Sequence, residues 1–223
     1  IACAPPDNPP LADGAIAFGV FGDAPYGPTD LPRYRALLVD IERSDVEFLI
    51  HLGDLLSGSC SDDIMEARAA EMRTLRPAVF YTPGDNEWTD CHRQRAGRFL
   101  PLERLARVRT LYFPHPGRSL GRAPLPLVYQ GQDSSWRDVV ENTRWRRGRA
   151  LFATVHLVGS YNGGVDFGAR TSADDSAAVR RMDAAVAWLD RTYTVAAEDS
   201  ARAVFIAFHA NPGFGTSKGM RDG

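Results

Sequence analysis

The sequence predicts an α/β protein built on a β-α-β-α-β core, and three observations predict it. Three short apolar runs occur before residue 86, each run ends in Gly-Asp, and the two stretches between them carry apolar residues at helical spacing. Strands joined by helical crossovers lie parallel, with right-handed connections.

The elements follow in order. Residues 1–14 are polar and proline-rich and read as a linker, leaving 15–223 as one domain. Ala15 to Phe21 is the first strand, ending at Gly22-Asp23. Asp30 and Pro32 suit the start of a helix with Leu31, Tyr34, Leu37, Leu38 and Ile41 on one face. Val46 to Leu52 is the second strand, ending at Gly53-Asp54. Asp62 to Leu75 is helical, with Met65, Ala69, Met72 and Leu75 recurring every three or four residues. Ala78 to Thr82 is the third strand, ending at Pro83-Gly84-Asp85.

The middle of the chain reads as less regular. Leu102 to Thr110 suits a short helix, and Pro114, Pro116, Pro124 and Pro126 break anything longer. Ala150 to Ser160 reads as a strand, followed by a turn or loop at Tyr161 to Gly164. Ser172-Ala173-Asp174-Asp175 resembles a capped start for a helix from about Asp174, with Val179, Met182, Val186 and Leu189 on one face. Ala203 to Phe208 is a buried strand ending at His209.

In an open parallel sheet, ligands bind beyond the carboxyl ends of the strands. The three Gly-Asp turns therefore bring Asp23, Asp54 and Asp85 to one edge. Carboxylates with a strand-end histidine, here His209, suit Mn, Fe, Zn or Ca/Mg better than a thiolate site would. A carboxylate can bridge two cations, and a pair about 3.5–4 Å apart can hold a hydroxide for in-line attack on phosphorus. The pattern is that of a metal-assisted hydrolase, with phosphate esters the natural substrate.

Charge narrows the partners. A net charge of -2 argues against a general nucleic-acid binder. Arginine is concentrated between Arg93 and Arg149, where thirteen arginines meet four acidic residues, a composition compatible with a phosphate-bearing substrate. No apolar run approaches the ~20 residues needed to span a bilayer. A glycine-rich phosphate loop is absent, which ranks a doubly wound nucleotide-binding module low.

Gly22-Asp23, Gly53-Asp54, Gly84-Asp85-Asn86-Glu87 and Phe208-His209 resemble the successive motifs of the calcineurin-like metallophosphoesterases, in the same order and on the same strand ends. The resemblance covers roughly Ala15 to Pro212. It implies a four-layer α/β/β/α sandwich, a dinuclear site of two divalent or trivalent ions (Mn, Fe or Zn), and hydrolysis of phosphate esters by a metal-bridging hydroxide. By position, Asp23 resembles the first metal ligand, Asp54 the bridging carboxylate, Asp85 the family's asparagine ligand, and His209 a ligand to the second metal. Asn86 stands in the place of the family's catalytic histidine and would orient phosphate; Glu87 would be the carboxylate behind it. Tyr26 and His92 are candidate substrate contacts, and Tyr26 is also a candidate phenolate ligand. His51 and His156 read as core histidines.

The sequence also departs from the pattern. Pro25 stands where the family often has histidine, and Ser57 where its second motif ends in aspartate or tyrosine. The family's final G-H-x-H is missing, so the expectation is a domain incomplete at its C-terminus, the chain stopping in the loop Gly213 to Gly223. The alternative is a non-catalytic binding protein on the same fold with a degraded metal site.

The cysteines carry two further expectations. Ile1-Ala2-Cys3 resembles the end of a bacterial lipoprotein signal, implying an extracytoplasmic protein with a membrane tether through acylated Cys3. Cys60 lies six residues after Asp54, and Cys91 six after Asp85. If the second and third strands are neighbours, these are equivalent points on adjacent loops, close enough for a disulfide. Two free thiols are the alternative.

Overall fold

The computed structural model describes residues 14–56 and 58–211. The expectations for the linker with Cys3, for Ser57 and for the loop from Gly213 lie outside the described residues.

The predicted parallel core is present. Strands β1 (Phe18–Phe21), β2 (Phe48–His51) and β3 (Ala78–Tyr81) pair in that order, with Phe18 opposite Phe48 and Phe48 opposite Ala78. Side chains alternate across a strand. Leu49, Val79 and Tyr81 therefore point into one apolar cluster, and Phe48, Ile50, Ala78 and Phe80 into another.

Helices α1 (Leu31–Arg43), α2 (Asp62–Thr74) and α3 (Pro101–Tyr112) cover the first face. In α2 the expected residues are buried, with Leu75 just past the helix end. In α1, Tyr34 and Ile41 are buried and Leu38 packs beside them, while Leu37 turns out to solvent. The α3 helix is longer than expected at both ends. Pro101 starts it, where a proline's missing N–H costs nothing, and Leu111 and Tyr112 extend its buried stripe.

The second sheet corrects the reading of the middle segment. It has the order β4-β5-β6-β7, with β4 (Val128–Tyr129), β5 (Thr143–Arg147), β6 (Ala150–Thr154) and β7 (Ala203–Ala207). β5 and β6 form an antiparallel hairpin, and β6 pairs in parallel with β7 across helix α5 (Ser172–Glu198). β6 stops at Thr154 rather than Ser160, and the chain reaches a short turn, α4 (Gly159–Gly163). β7 sits at the sheet edge and is only half-buried, with Phe205 exposed.

The two sheets meet face to face through aromatic rings. Phe80 stacks on Trp145 with centroids 3.5 Å apart, and Phe18 and Phe48 meet Phe152 edge-on at 5.2 and 5.1 Å. The edge-to-face pairs add to the stabilisation from buried area. The far side of the second sheet carries α5, through a cluster of Val155, Ala185 and Trp188.

The buried stripe of α5 is only partly the expected one: Leu189 packs against that cluster and Met182 is half-buried. Val179 and Val186 are exposed, and Arg181, Ala184, Ala185, Trp188, Thr192 and Ala196 face inward. The helix is capped one residue earlier than expected, by Thr171, whose backbone N–H donates to Asp174 Oδ2 at 2.8 Å. Among the described residues, no helix is long and apolar enough to cross a membrane.

Candidate metal centre

The parallel register brings the strand-end loops together. Asp23 N donates to Gly53 O at 3.0 Å, tying the loop after β1 to the loop after β2. Asp23 and Asp54 both lie in the left-handed region, at φ 55° and 57°, which aspartate tolerates better than bulkier residues.

The repeated glycines have steric causes. Gly53 has φ 88°, and a Cβ on it would lie 2.0 Å from Gly84 N. A Cβ on Gly84 would lie 2.1 Å from Asp54 Oδ1. The second and third Gly-Asp turns thus touch backbone to backbone, and only glycine permits that approach.

Asp54 is the hub of the carboxylate cluster. Its Oδ1 accepts from Asn86 N at 3.0 Å, and its Oδ2 from Asn86 Nδ2 at 2.9 Å and the Tyr26 hydroxyl at 2.8 Å. The same hydroxyl lies 2.9 Å from Asp23 Oδ1, so Tyr26 bridges two carboxylates. Burial, then the Asp54 charge, hold the phenol well above its ordinary pKa. Burial pushes the Asp54 carboxyl up to about 6, with nearby His209 opposing the shift.

His209 follows β7 and points back at the cluster. Its Nδ1 is 2.8 Å from Leu52 O; a carbonyl only accepts, so Nδ1 carries the proton. Nε2 then faces Asp85 Oδ1 at 3.0 Å and Asp54 Oδ1 at 3.6 Å. Burial disfavours the imidazolium, but the Asp85 hydrogen bond and the Asp54 charge outweigh it and raise the pKa to about 9. One ligand atom each from Asp23, Asp54 and His209 lies within 4.8 Å of the others. Asp85 joins them through His209.

Glu87 is fully buried behind this cluster and makes no contact across it. Its Oε2 accepts from Asp54 N at 3.0 Å and Gly84 N at 2.7 Å, and its Oε1 accepts from Leu55 N. Burial, reinforced by the Asp54 charge, pushes its carboxyl up to about 7. It ties the turns after β2 and β3 together.

The disulfide is present. Cys60 and Cys91 are bonded, with Cα atoms 5.7 Å apart, and both sulfurs lie 3.4 Å from Asn86 O. The bridge therefore closes around the residue that contacts Asp54 through both its backbone and its side chain.

The remaining histidines stand apart. His51 is buried, and its Nδ1 accepts from Gly53 N at 3.0 Å; burial and then His209 depress its pKa to about 3. Buried His156 has Nδ1 2.9 Å from Glu141 Oε1, and Glu141 also pairs with Arg109. His92 is held by its own turn, Nδ1 2.6 Å from Thr89 O, with its ring stacked on Phe167.

Sequence reasoning missed Ser160 and Asp90. Ser160 Oγ donates to Asp90 Oδ1 at 2.7 Å and lies 3.4 Å from Asp85 Oδ2. Ser160, Tyr161 and Asn162 all have φ between 51° and 54°, so this turn is left-handed without glycine at those positions. The sequence marks a turn at Tyr161 to Gly164, but nothing in it places the Ser160 hydroxyl beside Asp85 and Asp90.

No protein-family model, curated protein or solved structure matches the chain.

Proposed function

We propose that the chain is a metal-dependent phosphoesterase of the calcineurin-like kind, a hydrolase of phosphate esters, on a four-layer α/β/β/α sandwich. The helix–sheet–sheet–helix stacking supports the sandwich. One observation carries the activity: Asp23, Asp54 and His209 converge within 4.8 Å at the ends of parallel strands.

The donor chemistry fits a hard or borderline cation. Oxygen donors with one imidazole suit Mn, Fe or Zn. His209 is oriented for the task, since the Leu52 carbonyl holds the proton on Nδ1 and leaves Nε2 for the cluster. Asp23, Asp54, Asp85 and His209 would hold the ions. When bound, such ions supply Lewis acidity and a nucleophilic water at neutral pH.

The chain's own residues do the rest. Asn86 Nδ2 orients Asp54 and is an amide donor placed to reach a phosphate oxygen at the cluster. Tyr26 holds Asp23 and Asp54 at a common spacing. Glu87 fixes the loops beneath Asp54 and Gly84. The disulfide supports an extracytoplasmic location, where such bonds persist.

Metal content together with hydrolysis of para-nitrophenyl phosphate tests the reading. The expected result is metal-dependent turnover that Asp54→Ala abolishes; turnover that survives this substitution overturns it. The second reading, a binding protein with a degraded site, is favoured by the hydrogen bonds from Tyr26 and Asn86 that already satisfy Asp54. A metal titration separates the two, since a degraded site takes up no ion.

A further inference from the structure

A cleft of about 230 Å³ opens beside the carboxylate cluster, lined in part by Cys60, Asn86, Asp90, Arg93 and Arg95. Asn86 belongs to both places: it lines the cleft and donates to Asp54 at 2.9 Å. Asp90 is a second link, because Ser160 joins it to Asp85.

The lining of the cleft carries one more cation than anion. Two guanidinium groups meet one carboxylate, and Arg93 is paired with Asp90 at 2.5 Å. Arg95 is exposed, with no acidic partner among the described residues. A guanidinium offers planar, bidentate recognition of carboxylate and phosphate. The volume suits one small group; drug-sized ligands need about 300–1,000 Å³. Because Cys60 lines the cleft, the disulfide fixes one wall in advance of binding.

We propose that this cleft is a leaving-group subsite, and that the preferred substrates are small phosphate esters whose leaving group carries a second anionic group, a carboxylate or a phosphate, received by Arg95 with Arg93. The inference rests on the phosphoesterase reading and adds the substrate class.

The test compares kcat/KM for phenyl phosphate, 4-carboxyphenyl phosphate and 1,4-phenylene bisphosphate, in the wild type and in Arg95→Ala and Arg95→Lys. The expected wild-type preference for an anionic leaving group is at least about tenfold, expressed in KM and shrinking with added salt. Arg95→Ala brings that ratio close to one, and Arg95→Lys retains part of it. A preference for either anionic ester supports the subsite and identifies the anion it takes. Turnover of all three esters with equal kcat/KM, or a preference untouched by Arg95→Ala, overturns the subsite while leaving the phosphoesterase reading intact. A wild type that turns over none of them overturns both. Arg95 is solvent-exposed, so the variants fold, and circular dichroism verifies this.

Discussion

Glu87 Oε2 accepts from the backbone N–H of Asp54 at 3.0 Å while also holding Gly84 at 2.7 Å. One buried carboxylate thus sets the spacing between the turns after β2 and β3. Glu87→Gln keeps the shape but turns an amide NH₂ toward a backbone N–H. The expected loss is about 2–4 kcal/mol in urea unfolding, because a buried donor is left facing another donor. A variant as stable as wild type would falsify the clamp.

The touching glycines make a second prediction. Gly84→Ala drives a methyl to within 2.1 Å of Asp54 Oδ1 and 2.5 Å of Asp54 N. The backbone and the Asp54 carboxylate must both shift, so a loss of more than about 3 kcal/mol is expected. Gly58→Ala is the control: unlike Gly84 it is at positive φ, but its Cβ meets nothing within 4 Å. It should cost about 1 kcal/mol, through backbone strain alone. Equal melting temperatures for the two variants would refute the close-approach account.

The Cys60–Cys91 bond closes a loop with a sequence separation of 31. Loop-closure entropy predicts a contribution of about 3–4 kcal/mol. Unfolding with and without reductant, with thiols counted, measures it. An unchanged midpoint after complete reduction would rule this contribution out.

His51 gives a pH dependence. Its folded pKa, about 3, lies well below the ordinary histidine value, so the neutral ring is favoured in the fold. A depressed histidine contributes stability above its unfolded pKa of about 6.5 and loses it as pH falls from there toward 3. At pH 4.5 the expected loss is about 2–3 kcal/mol. The raised pKa values of Asp54 and Glu87 act in the opposite sense, so the readout is wild type against His51→Asn at pH 7 and pH 4.5. If the two lose equal stability on acidification, His51 is not the group responsible.

Particular residues show what the sequence made legible. β2 and β3 were plain because every residue in each is buried, and such strands read as continuous apolar runs. The three aspartates were plain because strand ends in a parallel sheet share one edge. β5 was hidden by Thr143-Arg144-Trp145-Arg146-Arg147, which looks solvated. Arg144 is nonetheless buried, its guanidinium 4.6 Å from the Trp188 ring centroid. The α5 face was misread for a related reason: it packs alanines, Arg181 and Trp188, while Val179 and Val186 face out. Periodicity records where apolar residues recur, and it is blind to cations buried on aromatic rings.

The left-handed turn at Ser160, Tyr161 and Asn162 sets stability against site geometry. Ser160 and Tyr161 held there cost roughly 1–2 kcal/mol each, asparagine tolerating the region better. Tyr161 is largely exposed, so glycine in its place removes strain and little packing. A search for more thermostable variants should therefore converge on this turn, and its winners would loosen Ser160 from Asp85 and Asp90.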